Sequence, residues 1–113
     1  MHYTEAILAQ EPISVAVIED QRELREGLSF LINSTPPFEC KHVYGAMEDA
    51  LAGIGSCPPR VALIDIGLPG MSGIEGVRIL RERYPSIAAV LLTVFKDDDR
   101  IFGGICAGAC ATC

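Results

Sequence analysis

The sequence predicts an α/β fold: a doubly wound parallel sheet with helices on both faces. Short β-branched apolar runs, Ile13–Ile18, Val61–Asp65 and Ile87–Leu92, alternate with stretches of helical period. Such alternation gives parallel strands joined by right-handed crossovers. Each run also closes on a polar group: Glu19-Asp20 after the first, Asp65 at the end of the second, Thr93 after the third. The carboxyl ends of parallel strands line up, so these four residues are expected to converge at one sheet edge, where open α/β sheets bind their ligands.

The elements follow in order. Residues 1–12, MHYTEAILAQEP, read as a loose polar tail with none of the features of a signal peptide. Ile13–Ile18 is the first strand, and Asp20 is placed to cap the helix after it. That helix covers Gln21–Asn33, with Leu24, Leu28, Leu31 and Ile32 on its apolar stripe. Ser34-Thr35-Pro36-Pro37 stops it. Phe38–Val43 is a weaker, more polar strand suited to an edge. Met47–Leu51 begins a short helix that ends near Gly53–Gly55. Val61–Asp65 is the central strand, and the glycines at 67, 70 and 73 let the following loop turn tightly. Ile74, Val77, Leu80 and Tyr84 mark the next helix, ended by Pro85. Ile87–Leu92 reads as a fully buried strand. Asp97-Asp98-Asp99 opens a last helix with Ile101, Phe102, Ile105 and Cys106 on its apolar side. Gly103-Gly104 weakens that helix by roughly 1 kcal/mol per glycine relative to alanine.

A chain of 113 residues, half of them apolar, suffices for one domain with a real core. The net charge of −6 argues against direct nucleic-acid binding, which needs a basic face. No apolar run reaches the length of a membrane span. Five cysteines without a secretion signal suggest reduced thiols and a cytoplasmic location.

Three carboxylates and a hydroxyl at one edge suit a hard divalent cation such as Mg²⁺, which takes oxygen ligands. A carboxylate beside such a metal can attack phosphorus, as in enzymes that form aspartyl phosphates. A phosphohydrolase would want a general acid two residues after the nucleophile, and Gly67 stands there.

Glu19-Asp20, the run DIGLPGMSG at 65–73, and Leu91-Leu92-Thr93 together make the sequence resemble a receiver domain of two-component response regulators. Residues 97–110, DDDRIFGGICAGAC, are similar to the fourth helix and following turn in the branch that carries a helix-turn-helix output. The resemblance implies a flavodoxin-like strand order 2-1-3-4-5. It implies that Asp65 accepts a phosphoryl group from a sensor histidine kinase, and that catalysis goes no further than the chain's own phosphorylation and dephosphorylation. It matches Asp20 to the direct Mg²⁺ ligand, Glu19 to its acidic neighbour, the Gly67 carbonyl to the third protein ligand of the metal, and Thr93 to the switch hydroxyl. Val94 stands where the family prefers alanine or glycine. No residue aligns with the family's lysine or its switch aromatic, and after Cys110 only Ala111-Thr112-Cys113 follow.

The chain is therefore expected to be a truncated receiver over residues 13–113, of order 2-1-3-4, with the fifth strand and fifth helix missing. The alternative function is a degenerate receiver that binds protein without phosphorylation. A missing fifth strand would leave Ile87–Leu92 as a bare edge, and a missing fifth helix would uncover an apolar strip beside the first helix. Both features predict a homo-oligomer.

Overall fold

The structure is a computed structural model and describes residues 11–94 together with the strand at 105–111. The tail reading for residues 1–10 and the start of the last helix, residues 97–104, lie outside the described residues. Strands β1 (Ile13–Ile18), β2 (Phe38–Tyr44), β3 (Val61–Asp65), β4 (Ala88–Val94) and β5 (Ile105–Ala111) form one sheet of order β2-β1-β3-β4-β5. The first four are parallel, in the predicted order 2-1-3-4. Helices α1 (Arg22–Asn33), α2 (Met47–Gly53) and α3 (Gly73–Arg83) connect them, and a 3₁₀ turn at Ile54–Ser56 extends α2.

Side chains alternate across each strand, so the sheet has two distinct faces. Ala16, Ile18, Ala62, Ile64 and Ala89 pack with Met47, Val77 and Leu80 of α2 and α3. On the other face Val17 and Leu92 meet Leu24 and Leu28 of α1, with Cys40. The second core is thinner. Beside α1 a groove of about 320 Å³ stays open, lined by Val15, Leu31, Ile32, Phe38, Val61 and Leu63. Leu31, placed on the buried stripe by its spacing, is 58% exposed, and its neighbour Phe30 is 71% exposed. The apolar strip expected beside the first helix is thus present.

Local chemistry fixes the helix ends. Ser72 caps α3 by accepting from the Glu75 N–H at 3.1 Å, and Arg81 and Arg83 fall in its last turn. The Ser34 and Thr35 hydroxyls donate to the carbonyls of Phe30 and Leu31, closing α1. Asp20 is not the cap of α1: Gln21 holds that position and makes no side-chain capping bond.

The C-terminal end corrects the sequence reading. Ile105 and Cys106, assigned to a helix, lie in β5, which pairs antiparallel with β4. The family's parallel fifth strand does not appear among the described residues, and this antiparallel strand occupies its place. Pairing satisfies the backbone donors and acceptors along β4, which a helix after β4 would leave open. The bare β4 edge, one of the two grounds for expecting an oligomer, is therefore overturned: the chain covers that edge itself. Nor is Ile87–Leu92 fully buried, since Ala88 is exposed and Val90 and Leu91 are half-buried.

Candidate functional site

β1 and β3 lie in register, with Ile18 opposite Ile64, so the next residue of each, Glu19 and Asp65, emerge together at the carboxyl edge. Both carboxylates are 1% exposed. Asp20 follows in the loop, and one carboxylate oxygen from each of Glu19, Asp20 and Asp65 lies within 4.8 Å of the other two. The three acids singled out by their place after apolar strands are thus brought together. Thr93 lies exposed at the same edge of the sheet, one residue beyond Leu92, the strand partner of Asp65.

Backbone donors set the carboxylates. The Gln21 N–H donates to Glu19 Oε2 at 2.8 Å, and the Gly67 N–H to Asp65 Oδ1 at 3.0 Å. The Glu19 N–H donates to the Tyr44 carbonyl at 3.0 Å, tying the loop after β1 to the end of β2. Below the site the Ile66 N–H donates to the Leu92 carbonyl at 3.0 Å, prolonging the β3–β4 pairing past Asp65.

The glycines of the loop play unequal parts. Gly70 has φ 72°, and no other described residue has a positive φ. Gly73 lets α3 start against β3: a Cβ there would strike the Asp65 carbonyl oxygen and come 3.0 Å from Ile64 Cγ2. At Gly67 a Cβ would meet only Asp65 Oδ1, at 3.8 Å, an ordinary contact. The tight-turn role expected of all three belongs to Gly70, and the close-approach role to Gly73.

Two residues of the site's surroundings were not visible in the sequence. Glu48 Oε2 accepts from the Met71 N–H at 3.1 Å and straps the loop to α2. Arg25 Nη1 donates to the Glu19 carbonyl at 2.9 Å and more loosely to the Asp20 carbonyl at 3.5 Å. The only sequence signal for Arg25 is a cationic side chain in the first turns of a helix that starts beside two acids.

The donor set fits a hard dication. Ionised carboxylates this close repel one another, and a divalent cation between them offsets that repulsion. All three donors are carboxylate oxygens, the donor type that Mg²⁺ prefers. Asp20 gives the cluster its open side, through which water or a phosphate oxygen can complete a coordination shell.

Among the described residues no helix is long and apolar enough to cross a membrane. Residues 15–112 match the family described as response regulator receiver domain. The chain is 31% identical over 97 residues to the DNA-binding transcriptional activator DevR/DosR of Mycobacterium tuberculosis, covering 86% of this chain and 45% of that protein. It is 33% identical over 100 residues to the uncharacterized transcriptional regulatory protein YxjL of Bacillus subtilis, covering 88% of this chain and 46% of that protein. It therefore spans less than half the length of either relative. A LuxR-family DNA-binding response regulator from Staphylococcus aureus superposes with a TM-score of 0.67 at 31% identity, covering 77% of this chain and 72% of that one. The receiver domain of the putative response regulator NarL from Mycobacterium tuberculosis superposes with a TM-score of 0.71 at 23% identity, covering 80% and 73%. With its acid cluster at the carboxyl edge of a 2-1-3-4 sheet and a family match over nearly its whole length, this chain belongs to the response regulator receiver domains of two-component signalling.

Proposed function

We propose that this chain is a phosphoacceptor module that takes a phosphoryl group from a sensor histidine kinase onto Asp65 with the aid of Mg²⁺. The observation that supports this best is the buried Asp65 carboxylate, with oxygens of Glu19 and Asp20 within 4.8 Å. Asp20 would hold the metal directly, Glu19 through water, and the Gly67 carbonyl would supply a third protein ligand. An Asp65 oxygen forms the new O–P bond as the P–N bond of the donor phosphohistidine breaks. The bonding pair stays on the imidazole nitrogen, which then takes a proton from solvent. The Gly67 N–H fixes Oδ1 and so the rotamer of the attacking carboxylate. Mg²⁺, when bound, offsets the charge spread over the phosphoryl oxygens. The Thr93 hydroxyl turns toward the phosphoryl group once it has arrived.

Incubation with acetyl phosphate and Mg²⁺ should add one phosphoryl group, visible in the intact mass and labile to hydroxylamine, and Asp65→Asn should abolish it. Equal labelling of both proteins would reject the assignment.

A second reading is a receiver that binds protein without phosphorylation. The strand beside β4 favours it, because Ile105–Ala111 reads ICAGACA and carries no lysine to pair with a phosphoryl group. Under either reading the module acts in the cytoplasm. DNA contact, named for the relatives, would belong to sequence outside the matched region, as the charge of −6 argues. The open apolar groove beside α1 supports association with a second copy.

A further inference from the structure

We propose that Arg25 is a positioning residue for the metal-binding loop, acting on its backbone and not on its carboxylates. The inference rests on the Mg²⁺ reading given above. Arg25 sits on α1, and its Nη1 reaches back to the Glu19 carbonyl at 2.9 Å and the Asp20 carbonyl at 3.5 Å. These carbonyls belong to the two residues whose side chains would hold the metal. The Arg25 N–H meanwhile donates to the Gln21 carbonyl at 2.9 Å, the first bond of the helix. One residue thus ties the start of α1 to the loop at two levels.

The guanidinium has a seat made for it. Gly45 follows directly on β2, and a Cβ there would lie 3.2 Å from Arg25 Nη1 and 4.0 Å from Cζ. Gly45 takes no positive φ, so its missing side chain serves space and not backbone conformation. Glu19 is then held from both sides. Its N–H goes to the Tyr44 carbonyl, next in sequence to Gly45, and its carbonyl goes to Arg25. Both contacts come from Nη1, whose N–H groups the planar guanidinium holds in fixed directions, as a flexible ammonium does not. Mg²⁺ demands near-octahedral geometry, so a loop free to shift by a few tenths of an ångström loses affinity.

Charge and geometry make opposite predictions, which lets an experiment separate them. If Arg25 acted only as a nearby positive charge, its removal would tighten Mg²⁺ binding by lifting repulsion. If it positions the loop, its removal weakens binding. Mg²⁺ titration of the whole chain, followed by amide shifts at the ends of β1 and β3, gives the dissociation constant directly. Arg25→Gln should raise it about tenfold, the lower range for lost outer-shell support of a metal site. Arg25→Lys, which keeps the charge and N–H donors but on a flexible stem, should raise it roughly two- to threefold, a partial rescue. Phosphorylation of Asp65 in Arg25→Gln should be slow at low Mg²⁺ and recover at saturating Mg²⁺. Binding by the folded Arg25→Gln protein as tight as wild type, or tighter, would overturn the proposal. Should that variant not fold, Arg25→Lys decides on the same criterion. A wild-type chain that binds no Mg²⁺ would instead reject the metal reading beneath it, a distinguishable failure.

Discussion

Replacing Gly73 by alanine tests the geometry at Asp65 without touching any carboxylate. The new Cβ would collide with the Asp65 carbonyl oxygen, lie 3.0 Å from Ile64 Cγ2 and lie 3.2 Å from the Asp65 carbonyl carbon. Two of these three atoms are backbone, at the end of a strand hydrogen-bonded on both sides. The strand cannot yield cheaply, so the N-terminus of α3 must move out. Overpacking of this kind costs about 1–3 kcal/mol. Alanine recovers part of its helix advantage of about 1 kcal/mol over glycine, and only part, because Gly73 is the first residue of α3. The net expectation is a loss of about 1–2 kcal/mol, or a fall of roughly 5–10 °C in Tm for a domain of this size. A shift of about 1 Å in Asp65 or in the loop that holds it should also slow phosphorylation by at least tenfold. The matched control is Gly67→Ala in the same loop, where the new Cβ meets nothing closer than 3.8 Å and φ is not positive. It should fold within about 0.5 kcal/mol of wild type. Urea denaturation of both variants, with intact-mass labelling by acetyl phosphate, checks the pair. Equal stability and equal labelling in Gly73→Ala and Gly67→Ala would refute the reasoning.

Asp20→Ala should abolish Mg²⁺ binding, while Glu19→Gln should weaken it less, because Glu19 would act through water. If an NMR titration leaves the ends of β1 and β3 unshifted in the wild type, the acid cluster does not hold metal. The groove beside α1 should bring two copies together at micromolar concentration, and Leu31→Glu should return the protein to monomer. Light scattering that reports a stable monomer for the wild type would contradict association.

The parts of the fold legible in the sequence are those decided locally. The strands β1, β3 and β4 announce themselves as apolar runs, and α1 and α3 as stripes of helical period. The acids that end β1 and β3 could be brought together on paper because register in a parallel sheet follows from the runs themselves. Asp20 carries two expectations, a place in the acid cluster and the cap of the first helix, and only the second fails: a carboxylate just before a helix is locally a good cap, but Gln21 holds that position. The last strand was hidden because ICAGACA has neither alternation nor β-branching beyond Ile105, and only the unpaired side of β4 makes a strand of it. Arg25 was illegible because its partners are carbonyls, which every residue has.

The two faces of the sheet divide the labour of the molecule. The face toward α2 and α3 is closed, with Ile18 and Ile64, the residues that precede Glu19 and Asp65 in their strands, wholly buried in it. The backbone that carries the site's carboxylates is thus anchored, one residue before each acid, in the best-packed part of the sheet. The face toward α1 is open beside Leu31 and Phe38. A shift on that side disturbs fewer packed contacts than one on the face toward α2 and α3. Yet α1 also carries Arg25, which grips the loop that holds Glu19 and Asp20. A chain that docked in the groove and moved α1 would therefore pull on the loop of Glu19 and Asp20 through one guanidinium. By reciprocity, a metal ion that fixed the loop would stiffen the face offered to that chain.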